Sequence, residues 1–322
     1  MNKVRIGIVG VGKWGKNHLR TFAQLPVEIV GVADKDKNQR RAAASFHVPF
    51  FTNYKDLLPM ADAVTIAVPT DLHYGVAKES LLAGKHVFVE KPATDSAKKT
   101  RELVALARAK NLILSVGYLY RFNPAVLKMK ELIPSIGKLQ YVTMRYIHSI
   151  KPPRKDSGAI LNLGIHMIDI LNFILNERPR RVSCVRANYI HPEREDSAHI
   201  LLDYGPFFAS IEVSSCHPEK KRDVWVVAGK EKVYADLLEQ RVVRYPLTVS
   251  EQLVRSGPAK EEKIIKKEPL YEQFHHFIEH VAKSEKRPQR RFTNMSEENH
   301  HTLRICELAL KSAIGGRHYP LA

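Results

Sequence analysis

The chain has 322 residues, 44% hydrophobic and 26% charged, a composition of ordinary globular proteins and enough length for two domains or one large one. No apolar run reaches the length of a membrane span and no signal-peptide pattern precedes VRIGIVGVG, so the expectation is a cytoplasmic protein with no membrane partner. A formal charge of +17 would attract phosphorylated small molecules as readily as nucleic acid. The basic runs (219–222, 266–268, 286–291) are short and scattered, however, and no nucleic-acid-binding motif accompanies them, so a solvated basic surface is expected.

An apolar strand from Val4 to Val9 runs into Gly10-x-Gly12-x-x-Gly15, and helical periodicity follows through Leu19, Phe22 and Leu25. Strand, glycine turn and helix in that order make a dinucleotide-binding turn. Gly10 suits the bend, Gly12 leaves room for a pyrophosphate, and Gly15 lets helix and strand pack closely. The next strand, VEIVGVADKD, ends on Asp34, 19 residues past Gly15, where a carboxylate would take the ribose hydroxyls and repel a 2′-phosphate. This favours NAD. Lys35, Lys37, Arg40 and Arg41 nearby keep NADP open, and Asp34 also reads as a simple turn or cap residue.

A third strand, ADAVTIAVPT, is followed by Asp71, His73 and a helix, and a fourth, HVFVEKPA, carries Lys91. A helix at 96–111 leads to a fifth strand, LILSVGYLY. Strands alternating with helices predict a doubly wound parallel sheet over residues 1–120, with Pro69, Thr70, Lys91 and Tyr118 at the ligand-binding strand ends. Pro92 restricts Lys91 to extended geometry. An amine fixed there could meet a substrate oxygen, or could merely end a strand.

Helical periodicity returns from Leu161 to Leu175, and Asn162, His166 and Asp169, four and three apart, share one face of that predicted helix. His166 is a candidate general base, or a satisfied core histidine. After 176 the pattern turns to alternating strands: RRVSCVRANYI, DSAHILLDYG, PFFASIEVSSC and KRDVWVVAGKEKVYADL predict an antiparallel sheet, with a turn at DYGP. Residues 251–267 read as an exposed connection. YEQFHHFIEHVAKS and SEENHHTLRICELALKSAIG read as helices, the latter with Ser296 as candidate cap. Their histidines, His275, His276, His280, His300 and His301, do not make a convincing metal set, and no metal is expected. Cys184, Cys216 and Cys306 are widely spaced without zinc-site spacing and suit a reducing compartment.

The segments GVGKWGKNHLR, AVPTDLHYGVA, VFVEKPAT, GYLYRFNPAV and GAILNLGIHMIDIL, in this order, resemble the glucose–fructose oxidoreductase and inositol dehydrogenase family across most of the chain. The resemblance implies an α/β enzyme. Residues 1–120 form a Rossmann domain, and 121–322 an α+β domain on a large, mostly antiparallel sheet whose open face makes a homodimer or homotetramer. It implies catalytic Lys91 and His166, a cis bond before Pro92, and a cofactor set of Gly10, Gly12, Lys13, Trp14, Gly15, Asp34, Pro69, Thr70, His73, Glu90 and Lys91. It places Tyr118, Arg121, Asn123, Asn162 and His166 at the substrate. Arg154 reads equally as a substrate contact or a solvated loop residue. Asn162 stands where the family usually has an aspartate, and an amide can orient a hydroxyl but cannot take its proton.

Within the family, YLYRFNPAVLKMKELI, GKLQYVTMRY and PPRKDSGAILNLGIHMIDIL are similar to the UDP-N-acetylglucosamine 3-dehydrogenases. The implied activity is hydride transfer between NAD and C3 of a UDP-N-acetylhexosamine. The alternatives are another hydroxyl compound, such as a free sugar or an inositol, and a nucleotide-binding sensor that has lost turnover.

Overall fold

The computed structural model describes residues 3–149, 157–286, 299–315 and 319–320. The chain divides into two compact units: Met1–Leu119 with Leu270–His300, and Tyr120–Pro269 with His301–Ala322.

In the first unit the elements are β1 (Val4–Val9), α1 (Lys13–Phe22), β2 (Val27–Ala33), α2 (Arg40–Ala44), β3 (Phe50–Phe51), β4 (Ala63–Ile66), α3 (Thr70–Leu82), β5 (His86–Val89), α4 (Ala97–Ala109) and β6 (Leu114–Val116). The strands form one parallel sheet in the order β3-β2-β1-β4-β5-β6. Burial on both faces explains the near-continuous apolar runs of β1, β4 and β5. The order reverses beside β1, which puts a ligand crevice beyond the carboxyl ends of β1 and β4.

The sequence shows every strand of this sheet except β3, whose two residues are too few to carry a pattern. The expected fifth strand is shorter than predicted. It stops at Val116, and Leu119–Phe122 turns into a 3₁₀ helix.

The first unit is completed by a helix far along the chain, Pro269–Lys286. Leu270, Phe274, Phe277, Ile278 and Val281 recur at helical spacing and pack with Ile6, Ile8, Leu19 and Phe22. Phe274 stacks on Phe22 with ring centroids 4.2 Å apart. A single domain over 121–322 has no place for this return. Periodicity predicts the helix but not the sheet that it covers.

The second unit contains α5 (Pro124–Leu132), β7 (Leu139–Ile147), a π-helical turn (Ile160–Gly164) continuing into α6 (Ile165–Leu175), β8 (Arg181–Ala187), β9 (Ser197–Asp203), β10 (Phe208–Ser214), β11 (Lys221–Ala228), β12 (Glu231–Asp236), β13 (Arg241–Val249), β14 (Val254–Ser256), β15 (Lys260–Glu261), a helix at Asn299–Gly315 and β16 (Tyr319–Pro320). The sheet runs β14-β13-β12-β11-β7-β10-β9-β8-β16, with β15 on β13. Its β7–β10 pair is parallel and its other pairs are antiparallel.

Strand alternation buries Val142, Met144, Ile200, Ile211, Val224 and Val226 on one face of this sheet. The other face holds Trp225 beside Tyr234 and Tyr245, and Tyr141 stacked on Phe208. At the predicted DYGP turn, Gly205 has φ +93° and the Tyr204 N–H donates to the Phe207 carbonyl over 3.0 Å. The expected connection at 251–267 is exposed, and it contributes β14 and β15 as edge strands. Among the described residues no helix is long and apolar enough to cross a membrane. Ser296 lies outside the described residues.

Candidate functional site

Two of the three glycines in the first turn are required by the protein itself. Gly10 has φ +87°, and a Cβ there would lie 2.8 Å from the Ala67 backbone. A Cβ on Gly15 would lie 1.9 Å from the Gly10 carbonyl oxygen. Gly12 is different, because a Cβ there would meet nothing within 4 Å. It caps the N-terminus of α1, whose first turn carries no acidic residue. Open space in front of free amide groups at a helix N-terminus fits a pyrophosphate. Lys13 and Trp14 lie exposed beside it.

Asp34 follows β2 and fastens this turn. Its Oδ2 accepts the Val11 N–H (2.8 Å) and its Oδ1 the Asp36 N–H (2.9 Å). The turn role left open by the sequence is therefore realised. A carboxylate has about four acceptor sites, so lone pairs remain for ribose hydroxyls. Lys35, Lys37, Arg40 and Arg41 are exposed around it.

At the ends of β4 and β5 the sequence candidates separate by role. Pro69 caps α3 and Thr70 opens it. His73 is buried, with Nδ1 2.8 Å from the Pro92 carbonyl oxygen and Nε2 2.9 Å from that of Val68. Both ring nitrogens face backbone, so His73 braces the two strand exits against each other. The Lys91–Pro92 peptide is cis, and Lys91 is half-buried. Tyr118 is buried just past β6.

Glu90, expected at the cofactor, is also a brace. Its carboxylate accepts from His18 Nε2 (3.0 Å) and from the Lys91 N–H (3.2 Å). The other nitrogen of His18 lies 2.8 Å from Thr65 Oγ1. Burial by itself would raise the Glu90 pKa. The His18 hydrogen bond and charge, the Trp14 side chain and the Lys91 charge outweigh that and leave it lowered. His18 is fully buried against Phe88 and Phe274. Sequence reading missed it, and its only signal is a histidine on the apolar face of α1 beside Leu19 and Phe22.

In the second unit the predicted regular helix from Leu161 needs correction. Residues 160–164 form a π-helical turn, and the α-helix begins at Ile165. Asn162 lies within the π turn, so its four-residue spacing to His166 is not that of one continuous α-helical face. Glu195 holds the start of this segment: its Oε1 accepts the Ile160 N–H (3.0 Å), and a Cβ on Gly158 would lie 2.2 Å from its carboxyl group.

His166 is buried between two tyrosine rings, Tyr120 edge-on at 5.1 Å and Tyr146 at 6.1 Å. Arg222 donates from NH1 to the Tyr120 hydroxyl (2.7 Å) and lies 4.4 Å over the Tyr146 ring. Burial, then the neighbouring Tyr146, hold the Tyr120 hydroxyl well above its usual pKa of 10.0. Tyr120, Tyr146, Arg222 and Glu195 escape sequence reading because they come from separate strands and turns.

Two residues expected at the substrate have structural partners. Arg121 forks onto Asp169, with Nε–Oδ2 2.9 Å and NH2–Oδ1 2.6 Å, at 7% and 1% side-chain exposure. Asn123 caps α5 through the Ala125 N–H and donates to the Leu237 carbonyl, so both ends of its amide are committed. Arg154 lies outside the described residues. Among the described residues no group of three or more His, Cys, Asp and Glu could hold a metal ion.

Two family models match. The model for the oxidoreductase family with NAD-binding Rossmann fold, GFO_IDH_MocA, covers residues 4–118, and that for the GFO/IDH/MocA C-terminal domain covers 126–235. The UDP-N-acetylglucosamine 3-dehydrogenase of Acidithiobacillus ferrooxidans is 29% identical over 186 residues, 58% of each chain. The inositol 2-dehydrogenase of Salmonella typhimurium is 32% identical over 185 residues, 54% of this chain and 55% of that one. These alignments therefore span little more than half the length of the curated relatives. The solved structure of the Acidithiobacillus ferrooxidans enzyme superposes with a TM-score of 0.84 at 22% identity, covering 97% of this chain and all of the other, and so shares the fold.

Proposed function

Because the chain belongs to the GFO/IDH/MocA oxidoreductase family, we propose that it is a cytoplasmic NAD-dependent dehydrogenase of sugar hydroxyl groups, acting on C3 of a UDP-N-acetylhexosamine. The observation that carries the dehydrogenase reading is Gly12, whose missing side chain no protein neighbour explains and a bound pyrophosphate would. Asp34 supports NAD over NADP. The Acidithiobacillus ferrooxidans relative supports the substrate.

A bound NAD would supply the hydride acceptor for the alcohol carbon. The rest falls to the chain. Gly12 and the first amides of α1 hold the pyrophosphate, and Asp34 accepts the ribose hydroxyls. The Lys91 ammonium donates to the reacting hydroxyl oxygen and stabilises its developing charge. His166 takes the hydroxyl proton, and Asn162 orients the hydroxyl. The open sheet face, with Tyr141, Leu201 and Phe208 partly exposed, serves assembly into a homodimer or homotetramer.

The test is a panel of UDP-, GDP- and dTDP-sugars, free sugars and inositols with NAD or NADP, read as absorbance of the reduced cofactor. Reduction of NAD by UDP-N-acetylglucosamine is the expected result. A second reading, oxidation of a free sugar or inositol, draws on the inositol dehydrogenase relative, and turnover confined to those compounds would establish it. No turnover with any of them, together with tight NADH binding, would leave the sensor reading suggested by Asn162.

A further inference from the structure

Three arginines of the second unit that leave water take carboxylates with them. Arg121 forks onto Asp169, Arg145 onto Asp223 and Arg244 onto Glu231. Arg222 departs from this pattern. It is half-buried, yet among the described residues its side chain makes one hydrogen bond, to the neutral Tyr120 hydroxyl, and its buried Nε has no partner. Its nearest acidic neighbour in sequence, Asp223, faces the other side of the sheet and is committed to Arg145. The Tyr120 hydroxyl supplies no compensating charge, since burial keeps it protonated at any physiological pH.

A guanidinium taken partly out of water without an anion is costly, and an unsatisfied buried donor adds to that cost. The surroundings hold Arg222 in place all the same, through the Tyr146 ring beneath it and the Tyr120 hydroxyl at its edge. Tyr120 and Tyr146 are also the rings that enclose His166. A rigidly held cation with no counter-ion among the described residues, one aromatic ring away from the proposed base, is a preformed anion site.

We propose that Arg222 binds an anionic group carried by the substrate, a carboxylate on the sugar or a phosphate of its nucleotide, and so selects charged over neutral sugars. This rests on the dehydrogenase reading only for the identity of the ligand as substrate. The site itself is tested by binding.

Calorimetric titrations compare UDP-N-acetylglucosamine, D-glucuronate and neutral N-acetylglucosamine against the wild type, Arg222→Met and Arg222→Lys. Loss of a charge-assisted hydrogen bond predicts at least tenfold weaker binding of one of the anions to Arg222→Met, with part of it restored in Arg222→Lys and the neutral sugar unaffected. Which anion responds identifies the carboxylate or the phosphate as the source. Removing an uncompensated cation should also leave the melting temperature of Arg222→Met unchanged or raise it, whereas a purely structural arginine would lower it. Equal affinities in wild type and Arg222→Met, an equal loss for the neutral sugar, or no binding of either anion by the wild type would overturn the proposal. Equal affinities in wild type and Arg222→Met leave NAD reduction by UDP-N-acetylglucosamine possible, and loss of anion binding leaves reduction by a free sugar or inositol possible, so either reading can fail alone.

Discussion

Each unit places a buried carboxylate close to a proposed catalytic residue, and the two carboxylates are partnered differently. In the first unit Glu90 precedes Lys91 and pairs with His18. In the second, Asp169 lies one turn beyond His166 and pairs with Arg121. Arginine keeps its charge at every accessible pH, whereas histidine and glutamate can each give theirs up. The second unit is thus braced by a pair that cannot relax when broken, and the first by a pair that can. Neither carboxylate touches the chemistry in the proposed mechanism, so their loss should be read first in stability, and loss of their catalytic neighbours in rate.

The largest effect expected is on rate. Lys91→Ala should lower turnover by roughly two to four orders of magnitude, the usual worth of a positioned proton-transfer or charge-stabilising group. NADH binding, measured by fluorescence titration, should stay near wild type, since the glycine turn and Asp34 do not depend on the ammonium. Near-normal turnover in the folded variant would return Lys91 to the role of a strand ending.

Breaking the second unit's pair comes next. Asp169→Asn leaves the Arg121 guanidinium 7% exposed without its carboxylate and with no means of losing its charge. Denaturant unfolding should show a loss of about 3–5 kcal/mol. That loss should vary little with pH from 5 to 8, because no group within the broken pair titrates there.

The glycine turn offers a sharper contrast inside the first unit. Gly15→Ala drives a methyl into the Gly10 carbonyl and should destabilise by about 1–3 kcal/mol, at the upper end because backbone must move. Gly12→Ala meets nothing and should leave stability unchanged, yet weaken NADH binding severalfold by crowding the pyrophosphate. Equal NADH affinity in Gly12→Ala and wild type would remove the observation on which the cofactor assignment rests.

What the sequence discloses follows the distance over which each feature is built. The glycine turn lies within a single stretch from Val4 to Leu25, and its backbone demands are written in residue types, so Gly10, Gly12, Gly15 and Asp34 are legible. Lys91 is legible for the same reason, since strand, lysine and proline are contiguous. The partners of Arg121 and Asn123 are not legible, because a polar residue near a strand end looks alike whether or not it has a partner 48 or 114 residues away. His18 and Glu90 are 72 residues apart, and the Arg222 cluster draws on three separate segments. The π turn leaves no mark on apolar periodicity, because one extra residue in a turn shifts the pattern less than ordinary sequence noise.

His18→Leu is the finest test of the comparison between the two pairs. In the wild type Glu90 has a lowered pKa, so ionised Glu90 contributes stability above the usual glutamate value of 4.5 that is lost as pH falls through its folded value. Removing His18 takes away the largest of the influences that lower it and leaves burial, which acts the other way. Glu90 should then become a raised carboxyl. It responds to the loss of its partner by binding a proton, which Arg121 cannot do. The cost at neutral pH should accordingly be modest, about 1–2 kcal/mol, since the Lys91 N–H still serves the carboxyl group. The sign of the pH dependence should also reverse. A raised carboxyl contributes stability that is present below 4.5 and is lost as pH rises through the folded value, so His18→Leu should approach wild-type stability on acidification and fall away from it toward neutrality. Urea unfolding of both proteins between pH 4.5 and 8 would show the difference widening with pH. A difference that stays constant over that range would mean that Glu90 keeps its charge without His18, and that Trp14 and Lys91 hold it ionised.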